Sequence, residues 1–204
     1  MGFYSQVIFP RFLDWAMSDP TLADYRQEVL AEVSGEVLEI GFGTGLNLSH
    51  YPKNIAKLTT IDANPGMSNL AKKRIEASPL KVENLVLNGE SLPMADHSFD
   101  SVVSTWTLCS IAKVDQALAE ISRVLKSGGK FFFIEHGLSK DPNIQVWQHR
   151  LTPLQKIWAD GCHLDRNIKH LVENNLEILK LEQFNIPSFP QILGYTYKGV
   201  AIKI

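Results

Sequence analysis

The stretch Val37-Leu38-Glu39-Ile40-Gly41-Phe42-Gly43-Thr44-Gly45-Leu46 constrains this chain more than any other. It reads as a short buried strand running into three alternating glycines and then into a helix. Glycine has no Cβ and reaches backbone angles closed to other residues, so a ligand can lie against the main chain here. A helix starting at that point adds unpaired N–H groups in its first turn. Dinucleotide sites use a related spacing, G-x-G-x-x-G, with an acid about 20 residues further on. Here Gly45 comes one residue early, and Leu46 stands where the dinucleotide glycine would be. Taken alone, the stretch is open to more than one nucleotide class.

Strand and helix signals alternate through the rest of the chain. Phe3, Tyr4, Val7, Ile8, Phe12, Trp15 and Ala16 recur at helical spacing, with Pro10 set to kink or split the segment. That segment fits a helix packed on the domain, a lid over a site, or a helix lying on a membrane surface. Helices are predicted over 21–33, 46–52, 65–77, 114–125, 143–159 (interrupted by Pro153) and 167–173. Strands are predicted over 36–40, 58–61, 82–87, 99–104 and 130–134, with Ser127-Gly128-Gly129 as a stop and turn. This alternation gives an α/β fold, doubly wound about a parallel sheet. Strands over 176–184 and 195–202, joined by a Pro-rich loop with no helix, end the chain as an antiparallel pair. One domain over 1–204 is expected, with an N-terminal helical cap (1–33), a nucleotide-binding core (34–137) and substrate-side helices with the terminal strands (138–204).

A formal net charge of −2 gives no electrostatic case for a nucleic-acid partner. Lys72, Lys73 and Arg74 read as the solvated face of a helix. Cys109 and Cys162 lie far apart without metal or disulfide-framework spacing and suggest a reducing, cytoplasmic compartment. No apolar run approaches the roughly 18 residues that a membrane span needs. The first residues, interrupted by Pro10 and Arg11, read as neither a signal peptide nor an anchor.

In an open parallel sheet, ligands bind beyond the C-terminal ends of the strands. Glu39, Gly41, Gly43 and Gly45 mark the end of the first strand, and Asp62 the end of the second. Asp62 is placed to accept from two ribose hydroxyls, or to cap the helix that Asn64 and Pro65 begin. Gly89, Glu90 and Ser91 form an acidic loop that could meet an adenine or simply lie on the surface. The fourth strand ends in the run from Ser104 through Thr105 to Cys109, beneath the place of a reactive group. The short glycine spacing and Glu39 favour S-adenosylmethionine (SAM) over a nicotinamide dinucleotide.

Together, the runs Glu39 to Gly45, Gly89 to Pro93, Phe99 to Val102 and Arg123 to Gly129, with Asp62, resemble class I SAM-dependent methyltransferases of the type-11 kind. The resemblance implies a Rossmann-like seven-stranded mixed sheet with an antiparallel last strand. It implies that Glu39 and the three glycines hold the amino-acid end of SAM, Asp62 the ribose, and Glu90 with Ser91 the adenine. Ala63, Gly89 and Thr105 complete the implied cofactor contacts, and S-adenosylhomocysteine is the implied product. Leu108-Cys109-Ser110, Glu135-His136, the Trp147 helix, the run Trp158 to Cys162 and Gly194-Tyr195 are similar to the methyltransferase-like family of small-thiol S-methyltransferases. Mammalian members of that family are membrane-associated through a hydrophobic N-terminal anchor, which this chain does not show.

The implied reaction is displacement at the SAM methyl by a substrate nucleophile. The sulfonium leaves readily, so alignment does much of the work. A thiol of pKa near 8.5 also gains from help in losing its proton. His136, just past the fifth strand, is the candidate base, and Asp160 the second catalytic candidate. Each has a plainer reading: His136 as pocket wall, Asp160 as a turn or cap. Cys162 reads as buried packing, and Asp160, Cys162, His163 and Asp165 match no standard metal spacing, so no metal is expected. Ser104-Thr105-Trp106-Thr107 stands where methyltransferases acting on nucleic-acid base amines carry Asn/Asp-Pro-Pro-aromatic. The expected acceptor is therefore a small molecule, a thiol or another lipophilic compound, with peripheral membrane contact possible. A quinone ring carbon or lipid amine is the alternative acceptor, and a non-catalytic SAM-binding protein the alternative class.

Overall fold

The apolar runs of the strands fix the sheet, since residues on both faces of its middle strands are buried. The computed structural model describes residues 3–204; Met1 and Gly2, the first residues of the expected N-terminal cap, lie outside them. Strands β1 (Glu36–Ile40), β2 (Lys57–Asp62), β3 (Val82–Val86), β4 (Phe99–Thr105), β5 (Leu125–His136), β6 (Glu177–Asn185) and β7 (Tyr195–Ile202) form one sheet in the order β3-β2-β1-β4-β5-β7-β6. The first five run parallel, and β7 lies antiparallel between β5 and β6. The expected seven-stranded α/β sheet with an antiparallel finish is present. Side chains alternate between two cores: Leu38, Val102, Phe131 and Phe133 on one face, Val37, Val103, Phe132 and Ile134 on the other. Full burial of each such side chain stabilises the fold by about 1.5–3 kcal/mol.

The helices are α1 (Phe9–Met17), α2 (Pro20–Leu30), α3 (Pro65–Ala77), α4 (Val114–Val124), α5 (Pro142–Trp158), α6 (Ile168–Glu173) and the short α7 (Gln191–Gly194). Asp19, Asn64 and Asp141 cap α2, α3 and α5 by accepting from backbone N–H groups two residues on. Pro10 does not split the N-terminal segment, because it sits in the first turn of α1, where its missing N–H has no partner to lose. A π-helical turn over Tyr4–Ile8 leads into it.

Pro153 does not interrupt α5, which runs through it, and the Pro-rich loop before β7 carries the short helix α7. Two further expectations fail. The segment after the glycines is a series of turns rather than a helix, with Gly45 N donating to Phe42 O, Leu48 N to Gly45 O and His50 N to Asn47 O. Asn47 and Tyr51 are turned inward onto Glu39, which holds the chain close to β1. Second, Ser127-Gly128-Gly129 does not end an element. It lies within β5, whose register against β4 shifts there. Gly128 N and Gly129 O remain paired with Lys203.

The strand order reverses between β1 and β4, which opens a crevice at the C-terminal ends of these strands. Among the described residues, no helix is long and apolar enough to cross a membrane.

Candidate active site

The crevice floor is the loop after β1. Gly41 and Gly43 both have positive φ, at 75° and 56°. A Cβ on Gly41 would lie 1.9 Å from Thr107 Oγ1, so only glycine fits. Around Gly43 the nearest obstacle is the Gly41 carbonyl at 4.0 Å, which leaves its backbone open to a ligand. Gly43 N donates to Asp62 Oδ2 and Asn64 N to Asp62 Oδ1, each at 2.8 Å. Asp62 thus ties the glycine loop to Asn64, the residue that caps α3, and its oxygens keep lone pairs for a further donor. Burial pushes its carboxyl up, against these backbone bonds.

A cavity of about 1000 Å³ extends from this floor. Gly41, Gly43, Asp62 and Ala63 line it near β1 and β2, with Gly89, Glu90 and Thr105 beside them. Glu90 Oε1 accepts from Lys113 N at 2.9 Å, which fixes its side chain. Glu39, Gly45 and Ser91 are not among the lining residues. Glu39 is 1% exposed, beneath the cavity, with Oε1 accepting from Asn47 Nδ2 and Oε2 from Tyr51 OH, both at 2.8 Å. It acts through Asn47, which lines the cavity and also donates to Thr105 Oγ1 at 3.0 Å. Burial pushes the Glu39 carboxyl up to about 7. Gly45, buried beside the Phe42 ring, shapes the turn, and Ser91 is exposed.

Arg26 and Asp14, which no local pattern singles out, complete this end together with Trp106. Arg26, from α2, is 4% exposed and lies over Trp106, with 4.8 Å from its guanidinium carbon to the ring centroid. Its Nε has no partner among the described residues, and burial lowers its pKa to about 10. Asp14, from α1, accepts from Thr44 Oγ1 at 2.5 Å and from Arg74 Nη1 at 2.8 Å, pinning α1 across the glycine loop. Trp106 carries a φ of 51°, a strained value for an aromatic residue, right after β4.

The far end of the cavity is built by the end of β5 and two loops. His136 ends β5, Cys109 follows β4 and Cys162 follows α5, and all three are buried and line the cavity. Gly161, at φ 93°, lets its loop approach the Ser110 carbonyl, and His163 N donates to Cys109 O at 2.8 Å. The two sulfurs are thereby 3.4 Å apart, and Cys162 Sγ is 3.5 Å from His136 Nδ1. The sulfur–sulfur hydrogen bond pulls the Cys162 thiol down and pushes Cys109 up. Arg166 donates to the Leu108 and Ile111 carbonyls, and Glu135 Oε1 accepts from Ser104 Oγ and Thr107 N.

Asp160 lines the cavity elsewhere. Its carboxylate accepts from Ser5 Oγ at 3.0 and 3.1 Å and from Asn64 Nδ2 at 3.5 Å, and its charge helps to push Asp62 up. It ties the N-terminal segment to the α3 cap on the Asp62 side. Cys162 clusters with Cys109 and His136, and not with Asp160, His163 and Asp165.

Residues 38–133 match a methyltransferase domain family. The thiol S-methyltransferase TMT1B of Rattus norvegicus is 38% identical over 182 residues, spanning 83% of this chain and 74% of that protein. The chain belongs to the class I methyltransferases. The ubiquinone/menaquinone biosynthesis C-methyltransferase UbiE of Bartonella bacilliformis is 28% identical over 165 residues, spanning 78% of this methyltransferase and 60% of that protein. The N-methyltransferase NodS of Bradyrhizobium japonicum, solved with S-adenosyl-L-homocysteine, has the same fold. It has a TM-score of 0.69 at 16% identity, and the match covers 93% of this methyltransferase and 91% of that chain.

Proposed function

We propose that this methyltransferase transfers the methyl group of SAM to the sulfur of a small, partly apolar thiol. The observation that carries the reading is one continuous cavity joining the open Gly43 backbone and Asp62 to His136. Asp62 accepts from the ribose hydroxyls, while Gly89 and Glu90 border the adenine. Arg26 offers its unpartnered guanidinium edge to the carboxylate of the amino-acid end. Bound there, SAM supplies an electrophilic methyl on a sulfonium leaving group.

At the other end the acceptor sulfur forms the new S–C bond as the methyl–sulfonium bond breaks. The acceptor proton leaves, and His136 is the imidazole among the lining residues that can receive it. Similarity to TMT1B supports a thiol as the acceptor. Similarity to UbiE supports a second reading, methylation of a quinone ring carbon. A panel of thiol, quinone and amine acceptors, read out as S-adenosylhomocysteine, separates these. Turnover of quinones or amines alone would sink the thiol reading, and no SAM binding by calorimetry would sink both.

Phe12 and Trp158 line the cavity mouth while remaining exposed, with Trp15 and Ile157 exposed on the same helices. This apolar rim suits a lipophilic acceptor and a peripheral membrane contact. Co-sedimentation with anionic vesicles, abolished in a Trp15→Ser/Ile157→Ser variant, is the expected result; equal pelleting of both proteins would remove the contact. Two free buried thiols fit the expected cytoplasmic compartment.

A further inference from the structure

The geometry points to a zinc site formed by Cys109, Cys162 and His136, whose open fourth position takes the acceptor thiol as its thiolate. The ligand atoms of the three residues lie within 4.8 Å of one another. Tetrahedral zinc with bonds of about 2.3 Å to sulfur and about 2.0 Å to nitrogen holds two sulfurs about 3.8 Å apart and a sulfur and nitrogen about 3.5 Å apart. Two of the observed separations, 3.4 Å and 3.5 Å, are within a few tenths of an ångström of these, and the third pair lies within 4.8 Å.

His136 turns Nδ1 toward Cys162, and its Nε2 is buried without a partner among the described residues, so no protein group there competes for the ring. The ligands are also held in advance. The His163–Cys109 backbone bond sets the two cysteine loops against each other, and Arg166 grips the carbonyls on either side of Cys109. Two thiolates and an imidazole make a soft, nitrogen-containing set that favours zinc over magnesium or calcium. Three protein ligands leave one coordination position, as in catalytic zinc sites. All three line the cavity, so that position faces the acceptor.

The acceptor role rests on the thiol reading above; the metal site does not. With the ion bound, His136 is a ligand, and the ion does the work of holding the acceptor deprotonated. The acceptor S–H proton passes to solvent as its sulfur coordinates. The coordinated sulfur takes the methyl as the sulfonium C–S bond breaks, and the thioether, a weaker ligand, departs with S-adenosylhomocysteine.

The test is cobalt and zinc titration of the full-length, chelator-treated, reduced protein. One Co²⁺ per chain with thiolate charge-transfer absorption and intense tetrahedral visible bands is expected, and Zn²⁺ should displace it and protect both thiols from alkylation. Cys109→Ser and Cys162→Ser should each lose affinity by more than the about 10–100-fold that follows loss of a supporting residue. Unchanged S-adenosylhomocysteine binding certifies their fold. If a serine variant does not fold, His136→Asn and wild-type thiol protection carry the test. Pale octahedral cobalt spectra, equal affinity in the variants, or a Cys109–Cys162 disulfide forming in glutathione buffer despite Zn²⁺ would overturn the site. Benzyl mercaptan should shift the charge-transfer band of the cobalt protein; an unshifted band at saturation overturns the acceptor role. An intact cobalt site without thiol methylation counts against the proposed function alone.

Discussion

The Arg26 guanidinium lies 4.8 Å from the centre of the Trp106 ring, buried and with its Nε unpartnered. A buried cation needs a counter-charge: Glu39 supplies one from the protein, and the free Nε leaves room for a second from a ligand. If that is the SAM carboxylate, Arg26→Met should weaken SAM by about 1.5–3 kcal/mol, or roughly 10–100-fold, the range for charged hydrogen bonds. Methylthioadenosine, which lacks the amino-acid end, should bind both proteins equally. Calorimetry with the two ligands checks this, and equal losses for both would show that Arg26 only supports the wall.

Glu39 makes stability depend on pH. Its carboxyl is raised from 4.5 to about 7 by burial, against hydrogen bonds from Tyr51 and Asn47. Below pH 4.5 it is neutral whether folded or not, and burial costs nothing extra. Between 4.5 and 7 the unfolded chain gives up the proton first, and stability falls by about 1.4 kcal/mol per pH unit. Above 7 the loss, about 3 kcal/mol in all, is complete. Glu39→Gln should therefore flatten the decline in urea midpoint from pH 5 to pH 8. Parallel pH profiles for the two proteins would contradict this.

Local patterns made the sheet legible before the structure. Each apolar run in β1, β4 and β5 occupies both faces of a buried strand, and Asp19 and Asn64 cap the helices that their sequences announce. The loop acids were harder to read. Glu39 precedes the glycines as a cofactor ligand would, yet the inward turn of Asn47 and Tyr51 satisfies it from beneath. Nothing local predicts that turn. Arg26 and Asp14 escaped because their roles depend on where α1 and α2 settle relative to a loop many residues away. The Cys109–Cys162–His136 cluster has no sequence spacing, since the end of β5 and two separate loops bring it together.

Asp14 is expected to control how long a ligand stays. It joins α1 to Thr44 on the glycine loop and to Arg74 on α3. The groups are partly exposed, so Asp14→Ala should cost no more than about 1 kcal/mol of stability. Its effect on a ligand beneath α1 should be larger in rate than in affinity, because opening that segment precedes release. Stopped-flow fluorescence should show faster S-adenosylhomocysteine dissociation from Asp14→Ala, and again from Arg74→Ala. The double variant should release no faster than the singles. Additive effects would mean that the two residues do not act as one latch.

Phe12 and Trp158 form an exposed apolar rim of the cavity. Their side chains line the cavity, yet Phe12 is 56% and Trp158 63% exposed. An apolar acceptor that covers them would recover part of the hydrophobic free energy they lose to water, about 25 cal/mol per Å². Phe12→Ala and Trp158→Ala should raise KM for long-chain thiols several-fold, leave short polar thiols nearly unaffected, and leave the SAM dissociation constant unchanged. A homologous series of alkanethiols measures this directly, because the slope of log(kcat/KM) against chain length should flatten in both variants. If the slope persists, the acceptor chain lies deeper, against Ile186 and Leu193 on the far wall of the same cavity.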